Sequence, residues 1–211
     1  MLPKLLSCAG KLSLALTQQQ QQQLLRYASA VWEKHTVLNL TRAASLEEIV
    51  TRHICDGLTA AATLRKHLPQ DAPLELADVG AGCGYIGFVL AVVFVAQAQV
   101  TLVESLERRC KFMRWAALQA GISNCTVKNL HVDKHTALAF DAVTERAVGP
   151  LSDILPVCLQ IVKPGGLFLA FQGEQPQVPG ADGAQHITTE DYTLPCDNKT
   201  RHLVLYKKNY V

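Results

Sequence analysis

The residues of this 211-residue chain best arranged for chemistry are Asp78-Val79-Gly80-Ala81-Gly82-Cys83-Gly84-Tyr85-Ile86-Gly87. Alternating glycines let a backbone turn tightly and approach a ligand closely. The segment follows a short apolar run and opens a helical one, the context such a turn requires. Free N–H groups and the positive dipole end of that helix suit a polar or anionic ligand tail. Two ligands fit. Gly82-Cys83-Gly84-Tyr85-Ile86-Gly87 matches the dinucleotide fingerprint G-x-G-x-x-G, with Glu104, about twenty residues on, as a ribose ligand. S-adenosylmethionine fits the register Gly80-x-Gly82-x-Gly84, with Asp78 at the strand end and Glu104 again on the ribose.

Such a turn needs a strand before it and a helix after it. From Leu74 onward, short apolar runs alternate with helical stretches, which argues for βαβ units and a parallel sheet. The pattern predicts strands at 74–79, 100–104, 125–130, 140–146, 167–171 and 202–207. It predicts helices at 85–95, 107–120 and 151–162, with Gly121 ending the second. Lys163-Pro164-Gly165-Gly166 and 175–183 read as loops. The expected fold class is therefore a doubly wound, Rossmann-like α/β sheet over residues 71–211. Residues 1–70 read as a helical N-terminal cap. It begins with a short amphipathic helix within 1–16. Thr17 is an N-cap for a helix that starts in the glutamine run Gln18–Gln23 and carries the stripe Leu24, Leu25, Ala28, Val31 and Trp32. Ser45 and Glu48 form a capping box before Arg52 and His53.

Composition narrows the class further. With 49% hydrophobic and 18% charged residues, global disorder is excluded. The net charge of +2 permits nucleic acid as a partner without demanding it. Seven scattered cysteines, none spaced C-x-x-C, suggest reduced thiols in the cytoplasm rather than a metal or redox site. The most apolar run, 86–98, is too short to span a membrane. Arg108, Arg109 and Lys111 make a basic helix face, which Lys34, Arg42, Arg52 and Arg65 extend. No aromatic residues interleave with them to form a stacking platform.

Asp78, for which a dinucleotide site has no need, favours the methyl donor. The segment Lys163–Gly166 resembles the loop that class I methyltransferases carry before their fifth strand, and the terminal strand resembles their antiparallel edge. Several short elements together resemble one family, the bacterial 16S rRNA guanine-N7 methyltransferases (RsmG/GidB). They are Trp32 with Asn39-Leu40-Thr41, Arg52-His53-Ile54-Cys55-Asp56, the glycine turn, Leu102-Val103-Glu104-Ser105, Glu145-Arg146-Ala147 and Arg201-His202. The chain departs from the family pattern at Gly57, Ile86 and Gln172, where serine, proline and lysine are usual.

The resemblance implies S-adenosylmethionine as cofactor and the small ribosomal subunit or its 16S rRNA as partner, with the protein a monomer. It implies that Asp78, Gly80, Gly82, Gly84 and Tyr85 border the methionine side and that Glu104 holds the ribose. Val132 and Asp133 would flank the adenine. Arg146 would lie over the cofactor carboxylate or the target base as the catalytic residue. Asn39, Arg52, His53 and Arg201 would meet RNA, and no metal would be needed. Guanine N7 has an in-plane lone pair and no proton, so the work expected of the enzyme is alignment rather than base catalysis. Three alternatives stay open: a methyltransferase of this fold with another substrate, a nicotinamide-dependent oxidoreductase, and a cofactor-binding regulator.

Overall fold

Seven strands form one sheet in the order β3-β2-β1-β4-β5-β7-β6 in the computed structural model, which describes residues 1–173, 175–197 and 199–210. They are β1 (Leu74–Val79), β2 (Ala98–Glu104), β3 (Cys125–Asn129), β4 (Phe140–Arg146), β5 (Val162–Gln172), β6 (Ala184–Thr193) and β7 (Thr200–Lys208). β1 to β5 pair in parallel, and β7 runs antiparallel to both β5 and β6. This is the doubly wound arrangement the sequence predicts, with two corrections. The terminal strand β7 is not the edge: β6 covers it, so Leu203, Val204, Leu205 and Tyr206 are buried. Lys163-Pro164-Gly165-Gly166 is not a loop but the start of β5, where the register against β4 shifts between Phe140 and Ala142. Gly166 is needed there, because a Cβ would come within 2.8 Å of the Asp141 carbonyl.

Side chains alternate along a strand, so each strand divides its residues between the two faces of the sheet. Leu74 and Leu76 of β1, Val100 and Leu102 of β2, and Ala142 of β4 belong to one core, packed against α5 (Tyr85–Val93) and α6 (Glu107–Ala120). Continuing the alternation puts Asp78, Glu104, Thr144 and Arg146 at the C-terminal ends of that same face. Ala77, Val79, Val103 and Val143 belong to the other core, under α7 (Leu151–Gln160).

The N-terminal helices cover the first face. They are α1 (Leu2–Lys11), α2 (Gln18–Leu38), the short α3 (Leu46–Glu48) and α4 (Cys55–His67), the last two joined by a π-helical turn at Ile49–Ile54. Their buried residues, Leu5, Leu24, Tyr27, Ile49 and Leu58 among them, form one continuous core with α5 and α6. Tyr27 fixes the join: its ring meets Phe88 edge-on at 4.8 Å, and its hydroxyl donates to the Cys83 carbonyl at 2.9 Å. Gly57 makes the α4–α5 approach possible, since a Cβ there would come within 2.6 Å of the Val89 Cβ. A serine at this position would therefore require a smaller residue opposite it.

The glutamine run is structural. Thr17 and Gln20 form a reciprocal capping box, and Gln20 also donates to the Val92 carbonyl at the end of α5. Gln23 donates to the Gly121 carbonyl at the end of α6. The tract thus satisfies carbonyl groups that helix ends leave unpaired. Among the described residues, no helix is long and apolar enough to cross a membrane.

Glu145 falls on the α7 face, between two residues that point towards the cap. It is 1% exposed; one carboxylate oxygen accepts from the Val148 N–H at 3.4 Å and the other has no hydrogen-bond partner among the described residues. Burial pushes its pKa up to about 7 from the ordinary glutamate value. Folding therefore disfavours the ionised form, and this group's contribution to stability is lost as pH rises through about 7. Glu145→Gln removes the charge and keeps the shape. Its melting temperature relative to the unsubstituted protein should be higher at pH 8 than at pH 5, measured by calorimetry. A difference that does not change with pH would contradict this assignment.

Candidate active site

The glycine turn is held by two carboxylates from the strands beneath it. Asp78 sits at the end of β1, buried, and each of its oxygens has a partner. One accepts from the Gly87 N–H at 2.9 Å and the other from the Thr144 hydroxyl at 3.0 Å. It thereby caps α5, whose own N-cap, Gly84, has no side chain, and ties that helix to β4. Burial pushes the Asp78 pKa up to about 6, against these hydrogen bonds. Glu104, at the end of β2, accepts from the N–H groups of Gly82 and Leu106, each at 2.9 Å. Arg109 stands 3.4 Å from the same carboxylate. Gly82 has φ +63°, a conformation that a side chain would strain, and this is what turns its N–H onto Glu104.

A cavity of about 750 Å³ lies between this turn and the loop that follows α2. Asn39, Arg52, His53, Asp78, Gly80, Gly82, Tyr85 and Arg146, all expected at the site, line it, so segments far apart in sequence converge there. A second cavity of about 330 Å³ lies on the α7 face and shares Gly80 with the first. Its wall is mostly apolar: Val79, Val103, Leu130, Val132, Val148 and Ile154. A Cβ on Gly80 would collide with the Val148 side chain, so the close approach this glycine allows is that of the segment after β4.

Arg146 is the cation at the centre. Its Nη1 donates to Asp56 at 2.7 Å and to the Nδ1 of His53 at 3.3 Å, and its guanidinium lies 5.3 Å from the Tyr85 ring centroid. Burial works against its charge, but the Asp56 carboxylate outweighs that and the pKa is raised. Asp56 uses its other oxygen to accept from the Tyr192 hydroxyl of β6 at 2.8 Å. His53 stacks on Tyr85 with ring centroids 4.1 Å apart. Burial, and then the charge of Arg146, pull the His53 pKa down to about 3, so the ring is neutral at pH 7. Arginine can only donate, so Nδ1 must accept. The ring proton is therefore on Nε2, which faces the Thr41 hydroxyl at 3.4 Å. Among the described residues the buried Tyr85 hydroxyl has no hydrogen-bond partner.

Other expected residues lie elsewhere. Gly84 (φ +93°) closes the back of the turn, against Phe88. Val132 lines the apolar cavity, but Asp133 is exposed and lines neither. The Asp133 carboxylate accepts from the His135 N–H and the Thr136 hydroxyl of its own loop. Arg201 also lines neither cavity; it forms a two-pronged pair with Asp197, both bonds 2.7 Å, and Asp197 reaches Arg52 at 3.4 Å as well. Hydrogen bonding to Arg201 holds the Asp197 carboxyl well below the usual range. Sequence reasoning passed over Asp197 and Tyr192, which lie in segments with no hydrophobic period. It also passed over the bond of Asp56 to Arg146, although Asp56 stood inside a motif.

Residues 20–204 match the family model GidB, described as rRNA small subunit methyltransferase G. The chain is 34% identical to ribosomal RNA small subunit methyltransferase G of Alteromonas mediterranea, covering 93% of this chain and 92% of the relative. With the protein of the same name from Levilactobacillus brevis it shares 32% identity, over 92% and 84% of the two chains. Among solved structures, TrmN from Thermus thermophilus superposes with a TM-score of 0.56 at 18% identity, over 72% of this chain and 48% of TrmN. MtNAS superposes with a TM-score of 0.58 at 16% identity, over 88% and 70% of the chains. At such identities these structures bear on the fold, which is that of class I Rossmann-like methyltransferases.

Removing one partner of a buried ion pair leaves the other charge uncompensated, at about 3–5 kcal/mol when both are fully buried. Arg146 keeps 23% of its side-chain exposure and Asp56 only 7%. Asp56→Asn should therefore cost about 2–3 kcal/mol in urea unfolding. Tyr192→Phe, which deletes one hydroxyl bond, should cost about 1 kcal/mol. Equal losses for the two variants would mean that Asp56 does not carry the Arg146 charge.

Proposed function

The chain belongs to the GidB family, rRNA small subunit methyltransferase G, and from that membership we propose that it methylates N7 of a guanine in 16S rRNA. S-adenosylmethionine is the methyl donor. We take the protein to act as a monomer in the cytoplasm on the small ribosomal subunit, with residues 1–70 as the cap and 71–211 as the donor-binding part. The observation that carries the reading is the meeting, at Gly80, of an apolar cavity and a larger one holding Arg146. A ligand with a flat apolar base at one end and a carboxylate tail at the other suits both halves.

Val132, with Val103 and Ile154, would pack the adenine. Its neighbour Asp133 spends its carboxylate on its own loop, so we give the adenine side to Val132. Glu104 lines neither cavity and already accepts from the Gly82 and Leu106 N–H groups, so it would take the ribose hydroxyls with its remaining lone pairs; Gly80, Gly82, Gly84 and Tyr85, braced by Asp78, would border the methionine side. Arg146 supplies the cation for a carboxylate tail or for the carbonyl edge of a guanine. Asn39, Arg52 and His53 on the opposite wall would meet the RNA, and Arg201 would stiffen that wall through Asp197. When bound, the cofactor supplies an electrophilic methyl group on a positively charged sulfur.

Guanine N7 needs no deprotonation before it attacks, and the ionisation states of the site agree with that requirement. His53 is neutral with Nδ1 engaged by Arg146, and Asp78 is enclosed by its two donors, so neither is disposed as a base. What remains for the chain is to hold N7, carbon and sulfur in line and to keep water out.

Labelled S-adenosylmethionine should transfer methyl to small subunits that lack the modification, with the label at a single guanine sensitive to cleavage at N7-methylguanine. Arg146→Lys keeps the charge but loses the planar fork, and should lower the rate by about 100-fold, the scale of a misaligned reactant. Transfer to another atom would refute the N7 assignment. Full activity of Arg146→Lys would refute the role given to Arg146.

A further inference from the structure

Of the four arginines lining the cavity just described, only Arg42 has no carboxylate partner among the described residues. Arg52 pairs with Glu48 and Asp197, Arg109 with Glu104, and Arg146 with Asp56. A polyanion approaching it has to be gripped elsewhere as well.

Helix α6 leads away from the cavity. Arg109, at its start, lines the cavity wall, and Trp115 lies six residues further, about 9 Å along the axis. Arg108, Lys111, Trp115 and Leu118 follow one another at spacings of three and four and so share one helix face. Arg108 and Lys111 are exposed, Trp115 is half-buried and Leu118 is 80% exposed. Alongside runs α2, and between the two helices opens a groove of about 320 Å³ lined by Leu25, Arg26, Ser29, Glu33, Trp115 and Gln119. Lys34 of α2 holds its ammonium over the Trp115 ring, 5.1 Å from the centroid, so a base stacking on that face takes the place of the ammonium. Sequence reading found a basic face without an aromatic platform. The fold supplies one by laying the α2 cations beside the α6 indole.

Arg26 and Arg108 have no carboxylate partner among the described residues. Lys34 pairs with Glu33 at 2.6 Å and Lys111 with Glu107 at 3.0 Å, contacts between exposed side chains that a phosphate can replace at little cost. An aromatic face flanked by exchangeable cations is the arrangement that binds single-stranded nucleic acid without reading its sequence. Duplex RNA presents phosphates but no open base face, so the Trp115 ring selects for an unpaired stretch.

We propose that the α2–α6 groove is a second RNA subsite. An unpaired base neighbouring the methylated nucleotide stacks on Trp115, and Arg26, Lys34, Arg108 and Lys111 take the adjoining phosphates. This rests on the reading of the protein as an RNA methyltransferase and adds where, away from the reacting base, the RNA is held.

The test uses the full chain, a short single-stranded oligoribonucleotide and small subunits lacking the modification. Trp115→Ala should weaken oligoribonucleotide binding by about tenfold, the scale of one lost base–aromatic stack. Trp115→Phe should restore most of it. Arg26→Gln with Arg108→Gln should weaken binding and flatten its salt dependence. All these variants should bind S-adenosylmethionine as the parent does and reach the same kcat on saturating subunits, so that the loss appears in KM.

A folded Trp115→Ala with parental RNA affinity and KM overturns the proposal while leaving the methylation reading intact. Trp115→Ala that also loses S-adenosylmethionine binding overturns it in favour of a packing role beside Phe112. Self-association of the parent that Trp115→Ala abolishes assigns the groove to a second copy of the chain instead. A parent that binds S-adenosylmethionine but neither binds nor methylates RNA removes the methylation reading and the groove together.

Discussion

A guanidinium buried at the end of a parallel strand is the constraint around which the site is organised. Arg146 is tolerable there only because Asp56 meets it, and Asp56 is tolerable only because Arg146 and Tyr192 use its two oxygens. The three residues come from β4, α4 and β6, so one neutralised charge ties the cap, the central sheet and the antiparallel hairpin together. The same charge sets the state of its neighbour. It helps hold His53 neutral and decides which ring nitrogen keeps the proton. Two short sequence elements 90 positions apart, Arg52–Asp56 and Glu145–Ala147, are thus one device in space.

The glycine turn is equally committed before any ligand arrives. Asp78 and Glu104 bind backbone N–H groups of the turn and of the helix behind it, and Tyr27 holds the Cys83 carbonyl from the cap. A turn fixed by three side chains from different elements does not need to be ordered by its ligand, which removes an entropic cost from binding. Strand alternation then explains the division of the site into two cavities. Residues 78, 104, 144 and 146 fall on the cap face, where Asp78 and Arg146 line the polar cavity, whereas Val79 and Val103 fall on the α7 face and line the apolar one. Gly80, with the Val148 side chain packed against it, borders both cavities, so a ligand with unlike ends would cross the division at this residue.

Much of this was legible in the sequence where the signal was local. The Thr17 and Ser45 caps, strands β1 and β4, and helix α6 lie where pattern and capping chemistry put them. The glycine turn was recognisable, but the work of its acidic partners was not. Asp78 stood out as a candidate ligand, and both of its oxygens serve the protein. Strand β6 was missed because Ala184–Thr193 is polar and exposed or half-buried along its whole length, as an outer strand can be. With β6 missed, β7 read as an edge although five consecutive buried residues in it imply neighbours on both sides. The pairing of Arg52 with Asp197, and that of Asp56 with Arg146 and Tyr192, depend on how segments are brought together, which no local period encodes.

Three of the four arginines lining the cavity, all but Arg42, are paired with carboxylates, and this has a consequence for selectivity. A cavity with unpaired cations would attract any polyanion, whereas paired cations have to exchange partners before they can hold a phosphate. Non-specific RNA gains little from such an exchange, because each new contact replaces one already made. RNA that places several phosphates and an unpaired base at fixed positions gains from all of them at once, in the manner of a multivalent ligand. A chain with a net charge of only +2 can therefore discriminate by the geometry of its RNA rather than by the strength of its field. That suits the methylation of one guanine on a folded particle better than a strongly basic surface would.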